Sequence, residues 1–345
     1  MMPLEIFGPV AVAFLMSAAL TPVFASWARR RDLLDVPNPR SSHVVATPRS
    51  GGPAFVLALL AGVAIAATAG GLTTEASLIV AAACALACLG LADDVRSLPA
   101  SIRLLFQIGI AVSLLWALPG RSAAFFEPAW LAAAVTVVWL VALTNACNFM
   151  DGIDGIATGQ AIVAGLGWAA LGALIDSREI VLLGLLLASA PAGFLIHNWP
   201  PARVFMGDAG SGFLGFSFAA LPLMIAGHGF HPMVWAALLT WPFLFDTGFT
   251  LLRRVRRGEN ILQAHRSHLY QRLIVSGLSH GFVALLYTVL ASLGAVGAIS
   301  DAAGKPGALM LSIAAVAIAA FSLWRYVVAC ESRAARFSAR SERPR

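Results

Sequence analysis

Long apolar runs, each about the length of a membrane-crossing helix, alternate with short polar segments along this chain. Runs able to cross ~30 Å of hydrocarbon as helices lie at residues 4–26, 52–70, 75–92, 101–118, 129–148, 160–176, 179–197, 211–227, 232–252, 280–299 and 307–328. Lipid cannot satisfy open backbone N–H and C=O groups, so the pattern predicts an all-α polytopic membrane protein with about eleven transmembrane helices. The sixth and seventh runs are joined only by a tight turn near Asp176–Glu179. The first lacks a basic leader and is long for a signal-peptide core, so it reads as a retained helix. No internal repeat or soluble-domain linker interrupts the series. The expected organisation is one integral-membrane domain over residues 1–330 and a basic tail, expected to be disordered, over 331–345.

Composition agrees with the patterning. The 345 residues are 59% hydrophobic and only 12% charged, where soluble domains carry about 25% charged residues. The four cysteines lie in or beside apolar runs, and their spacing matches neither a zinc site nor a disulfide framework. Charge adds orientation. Of 23 Lys and Arg, all but Arg121, Arg178 and Lys305 fall in alternate loops and the tail. The positive-inside rule makes those loops cytoplasmic, with the N-terminus periplasmic and the C-terminus cytoplasmic. The high isoelectric point therefore reports topology and gives no reason to expect nucleic acid. The tail arginines read as a topology anchor, with contact to anionic lipid as the alternative.

Five of the ten aspartates, Asp93, Asp94, Asp151, Asp154 and Asp208, fall on that same cytoplasmic side. Carboxylates bordering hydrocarbon are costly, so such residues usually line a watered site with a partner or ion. Asp93 and Asp94 close the third helix, where the dipole disfavours them and they repel each other. A magnesium ion or a bound basic group would compensate; two solvated loop residues are the plain alternative. Asn145, Asn148 and Asp151 are spaced by three and share a helix face, stacking oxygen donors suited to a hard cation. Gly152 and Gly155, around Asp154, break the helix and admit close backbone approach. Met206-Gly207-Asp208-Ala-Gly210-Ser211 leads into the eighth run and suggests an anion-friendly nest beside a metal ligand, although the Gly-Lys-Ser/Thr of a Walker loop is missing. The longest cytoplasmic loop begins with Arg253, Arg254, Arg256 and Arg257, most simply a stop-transfer flank. It continues through His265, Arg266, His268, Tyr270 and Arg272 with no acidic partner nearby in sequence. Arginine forks there suit phosphate oxygens.

These blocks, in this order and on these loops, resemble the polyprenyl-phosphate N-acetylhexosamine-1-phosphate transferases, from about residue 35 to 275. The early His43-x-x-x-Thr47-Pro48-Arg49-Ser50-Gly51-Gly52 is similar to that family's lead into the second helix. The resemblance implies Mg²⁺ (Mn²⁺ as the substitute) on Asp208 and Asn148, and Asp93 and Asp94 at the phosphate acceptor. It implies Arg103 on the pyrophosphate, and Asp151 and Asp154 as a site pair with unassigned separate roles. Asn145, Gly207, Ser211, His265, Arg266 and His268 would bind substrate. The implied reaction moves a sugar phosphate from a UDP-N-acetylhexosamine to undecaprenyl phosphate in a bacterial inner membrane, releasing UMP. Homodimers are implied as well. Two positions depart from the common pattern: Ser97 replaces an Asn or Asp after the acidic pair, and the loop reads His-Leu-Tyr-Gln in place of His-Leu-His-His. The second resembles the branch that starts O-antigen on unusual N-acetylated sugars.

An ion-coupled transporter or lipid flippase is the rival reading. Such sites usually lie near the bilayer midplane on broken helices, and only Asp246 lies that deep. A membrane scaffold would explain the hydrophobicity but not the one-sided acidic motifs.

Overall fold

A computed structural model describes residues 4–37, 45–70, 72–260, 263 and 265–341. His43 lies outside the described residues. In chain order the helices are α1 (Leu4–Arg30), α2 (Gly51–Gly70), α3 (Thr74–Arg96), α4 (Ala100–Ala117), α5 (Ala129–Met150), α6 (Ile156–Leu174), α7 (Arg178–Asn198), α8 (Gly207–Met224), α9 (His231–Leu239), α10 (Trp241–Arg256), α11 (Leu269–Val275), α12 (His280–Ala302) and α13 (Ala308–Ser341). A two-residue antiparallel pair, β1 (Leu34–Asp35) with β2 (Thr47–Pro48), is the one sheet among the described residues. The chain is an all-α polytopic membrane protein.

Nine described helices are long and apolar enough to cross a membrane, or ten if the bent α9–α10 pair forms one span. The outer faces of α4, α5 and α13 present Leu105, Trp116, Val138, Met310 and Leu311 to the surroundings. In water such a surface would drive aggregation; against lipid tails it is neutral. The expected eighth run is α8, whose 18 residues are nearly all buried by protein. Small residues let neighbours approach it closely. A Cβ on Gly90 of α3 would collide with the backbone carbonyl of Asp208, so the α3–α8 crossing depends on that glycine.

Two expectations fail. The run 232–252 is not continuous but turns by 80° between α9 and α10. Pro242, in the first turn of α10, has no N–H to continue α9. The Thr240 carbonyl instead accepts from Phe243 and Leu244 N–H, opening a new helix. The tail also does not become disordered at Glu331, since α13 continues to Ser341. At ~1.5 Å per residue its 34 residues span roughly 50 Å, well beyond the hydrocarbon. Glu331 is held there by a two-pronged pair with Arg272 of α11, at 2.7 and 2.6 Å.

Candidate active site

The loop from β2 into α2 is laced to the strand-like segment before α8. Phe205 N–H donates to Pro48 O, and Gly51 and Gly52 N–H donate to Phe205 and Met206 O. This sets Arg49 beside the start of α8, with its guanidinium 3.4 Å from Asp35. Burial would lower the arginine's pKa, yet the carboxylates of Asp35, Asp208, Asp94 and Asp151 together raise it. Neither spacing nor charge clustering in the sequence points to Arg49; its one signal there is the Thr-Pro-Arg-Ser-Gly-Gly string.

The adjacent aspartates divide. Asp94 accepts the backbone N–H groups of Asp208 (3.0 Å) and Ala209 (3.2 Å), closing the N-terminus of α8. The expected anion nest at Gly207–Ser211 is therefore occupied by the protein's own carboxylate, which satisfies donors a helix start leaves open. Gly207, at φ +74°, brings this turn against Asp94 with no side chain in the way. Asp93 points elsewhere. Its Oδ2 takes Arg103 Nη1 at 2.6 Å, and the same nitrogen donates to Asp208 Oδ2 at 3.0 Å. Arg103 is the cation the acidic pair required, brought by the first turn of α4.

Asp93, Arg103, Asn145, Asn148 and Asp208 border one small cleft of about 20 Å³, with Gln107 completing the polar wall. That volume suits a water or a small cation. Asn145 Nδ2 donates to Gln107 Oε1 at 2.6 Å and to Val141 O. Asn148 Nδ2 donates to Ser211 Oγ at 3.2 Å, which leaves its carbonyl oxygen available. Among the described residues no three His, Cys, Asp or Glu side chains form a ready metal cage. Asp208 and the Asn148 oxygen nevertheless offer the hard donors that a cation shared with substrate phosphates and water needs.

Asp151 and Asp154 separate as well. Asp151 is half-buried at the end of α5, and removal from water raises its pKa well above the carboxylate norm, with Asp208 and Asp94 adding repulsion. Asp154 turns away from the cleft. Its Oδ2 accepts Ala202 N–H at 3.0 Å and its Oδ1 lies 3.2 Å from His280 Nδ1. Burial pushes its pKa up, but those two partners outweigh it and hold the pKa below normal. Asp154 thus fastens the α7–α8 loop to α12 rather than joining Asp208.

The profile of glycosyl transferase family 4 matches residues 76–226, from α3 into the turn after α8. The chain is 32% identical over 311 residues to a "Probable undecaprenyl-phosphate N-acetylglucosaminyl 1-phosphate transferase" of Bacillus subtilis, covering 84% of each chain. It is 30% identical to a "Decaprenyl-phosphate N-acetylglucosaminephosphotransferase" of Mycolicibacterium smegmatis, covering 89% of this chain and 86% of that one. This chain belongs to the polyprenyl-phosphate hexosamine-1-phosphate transferase family. A "Phospho-N-acetylmuramoyl-pentapeptide-transferase" of Listeria welshimeri is 25% identical over 83% of this chain and 94% of its own.

In this family member the long basic loop lies against the carboxylate end of the bundle. Tyr270 OH donates to Phe149 O at 3.0 Å, and a Cβ on Gly152 would collide with that hydroxyl. The rings of His265 and His268 lie 4.9 Å apart. The loop's acidic partners, absent nearby in sequence, come from distant helices: Asp246 of α10 meets His268 and Glu331 of α13 meets Arg272. Arg254, expected as a simple flank, is 4% exposed and folds the loop on itself through Glu259, Asn260 O and Gln263 O. Arg253 donates to Ser267 O at 2.8 Å. Asp246 itself is fully buried; its carboxylate accepts from Thr250, Leu269, Tyr270 and Tyr287, and His268 Nδ1 lies 3.2 Å from it.

Proposed function

We infer that this protein transfers an N-acetylhexosamine-1-phosphate group from a UDP-linked sugar to a polyprenyl phosphate, on the cytoplasmic face of a bacterial inner membrane. The observation that carries this reading is the meeting of Asp93, Arg103, Asn148 and Asp208 at one small cleft. Phosphoryl transfer between two anions needs alignment and charge neutralisation more than covalent help. The names of the relatives favour undecaprenyl or decaprenyl phosphate as acceptor and N-acetylglucosamine as the first sugar to try.

In this reading Arg103 at the cleft and Arg49 near the start of α8 neutralise phosphate oxygens. Asp208 and Asn148 would hold Mg²⁺, which when bound supplies charge for the pyrophosphate and its leaving group. An oxygen of the acceptor phosphate attacks the phosphorus bonded to the sugar, forming a new P–O bond as the bond to UMP breaks. A phosphate monoester with a second pKa near 6 is largely ionised at neutral pH, so no strong base is required. Asp94 is spent on α8, which leaves Asp93, beside Arg103, as the acceptor-side carboxylate.

The test is UMP release by the purified chain in lipid nanodiscs, with undecaprenyl phosphate, Mg²⁺ and a panel of UDP-N-acetylhexosamines. Release with at least one donor, abolished by EDTA and restored by Mg²⁺, is the expected result. No release with any donor would overturn the proposal.

A further inference from the structure

Gln107 stands in the membrane-crossing part of α4, one turn past Arg103 and on the same helix face. At ~1.5 Å per residue, those four residues carry it roughly 6 Å further along the span than Arg103. It lines the same cleft as Asp93, Arg103, Asn145, Asn148 and Asp208. An amide in an apolar span is costly unless its donors and acceptor find partners. Its orientation therefore decides what it offers.

That orientation follows from a backbone group. Val141 O can only accept, so the Asn145 atom 2.8 Å from it is the nitrogen, Nδ2. The same Nδ2 lies 2.6 Å from the Gln107 amide, which must turn its oxygen, Oε1, toward Asn145. Both N–H groups of Asn145 are then spent. Gln107 is left with Nε2, which has two N–H donors and no hydrogen-bond partner among the described residues. Such a donor pair, at a cleft that also holds Arg103, suits an anionic oxygen.

The packing of α4 says which anion. Of the four helices that wall the cleft, α4 is the most lightly packed: only Ala111 and Leu114 are buried, and Leu104, Leu105 and Ile108 are exposed. It is the wall most able to yield when a phosphate enters. A nucleotide-sugar reaches the site from water, whereas a polyprenyl phosphate arrives with its chain in the bilayer. The anion that meets a donor one turn further into a thinly covered span is the lipid's phosphate.

We propose that Gln107 Nε2 binds a phosphate oxygen of the polyprenyl-phosphate acceptor, with Asn145 as the positioning residue that turns the amide. This deepens the transferase reading and rests on it. Asn145, expected to bind substrate itself, acts through Gln107.

The experiment uses the full chain in nanodiscs. It measures KM for undecaprenyl phosphate and for the nucleotide-sugar separately, together with the Kd of UDP and the melting temperature. Gln107→Glu keeps an oxygen for Asn145 Nδ2 but replaces the donor with a second oxygen. It should raise acceptor KM about tenfold or more, as for a lost hydrogen bond to a charged group, with donor KM and UDP Kd within about twofold. Gln107→Met is neutral and similar in shape, and it serves where the glutamate variant gives no folded protein; the same split is expected. Asn145→Ala breaks the α4–α5 bond from its other end and keeps the Gln107 amide. It should raise acceptor KM less than Gln107→Met does, and added to Gln107→Met it should change acceptor KM within about twofold. An acceptor KM at the wild-type value in the Gln107 variants, or a rise shared equally by the donor, would overturn the proposal. So would Asn145→Ala and Gln107→Met lowering melting temperature and both affinities alike, because the bond would then be helix packing. Losses that multiply in the double variant would overturn the positioning role of Asn145. A wild-type protein inactive with every donor sinks the transferase reading instead. An active wild type whose acceptor KM ignores Gln107 sinks only this inference.

Discussion

Asp93 and Asp94 are neighbours in the chain with different duties. Asp94→Ala removes the acceptor for two N–H groups at the start of α8, and should cost about 1–2 kcal/mol of stability, the usual range for losing such a cap. Asp93→Asn leaves that cap intact and releases Arg103 from one carboxylate, so it should reduce turnover while the melting temperature stays near wild type. Thermal unfolding in detergent beside UMP release separates the two. Asp151 makes the opposite trade. The fold favours its protonated form, and its charge is opposed by Asp208 and Asp94. Asp151→Asn should raise the melting temperature by a few degrees in EDTA and lower turnover by roughly 100-fold or more. Asp154 carries a pH signature. Its folded pKa lies below the unfolded value, so its contribution is complete above about pH 4 and is lost as pH falls through the lower folded value. Asp154→Asn should therefore flatten the acid limb of a stability–pH profile, and an unchanged limb would show that its pairing with His280 contributes nothing.

At the scale of elements, close crossings decide where the site forms. Gly90 lets α3 lie against the first turn of α8, which carries Asp93 and Asp94 to Asp208. Gly90→Ala forces a methyl into backbone, and overpacking of this kind costs about 1–3 kcal/mol. The expected result is a lower melting temperature and loss of turnover together, since the Arg103 bridge spans that crossing. The loop into α11 is secured twice, by Asp246 from α10 and by Glu331 from α13. Glu331→Gln removes the charge that Arg272 faces; it should weaken UDP binding a few-fold with little change in overall stability, because a part-exposed pair contributes at most about 1 kcal/mol. Local sequence could not foretell either anchor. Asp246 and Glu331 lie 22 and 59 residues from their loop partners, and read alone they were a packing carboxylate and the first residue of a loose tail.

At the scale of the whole molecule, the sequence alone determined the class, the apolar helices and the shared side of the acidic motifs. These follow from local rules: hydrocarbon thickness fixes run length, backbone hydrogen bonding fixes helix, and arginine placement favours one orientation. The motif strings also carried the family. Tertiary structure alone decided which carboxylate serves which purpose. It gave Asp94 to a helix end, Asp154 to His280, Asp246 to the His268 loop, and left Asp93 and Asp208 at the cleft. It also broke the ninth run at Thr240 and extended α13 beyond the membrane. The physical reason is range: hydropathy and helix propensity act within a few residues, whereas each of those carboxylates is claimed by donors or cations that the fold draws from other segments.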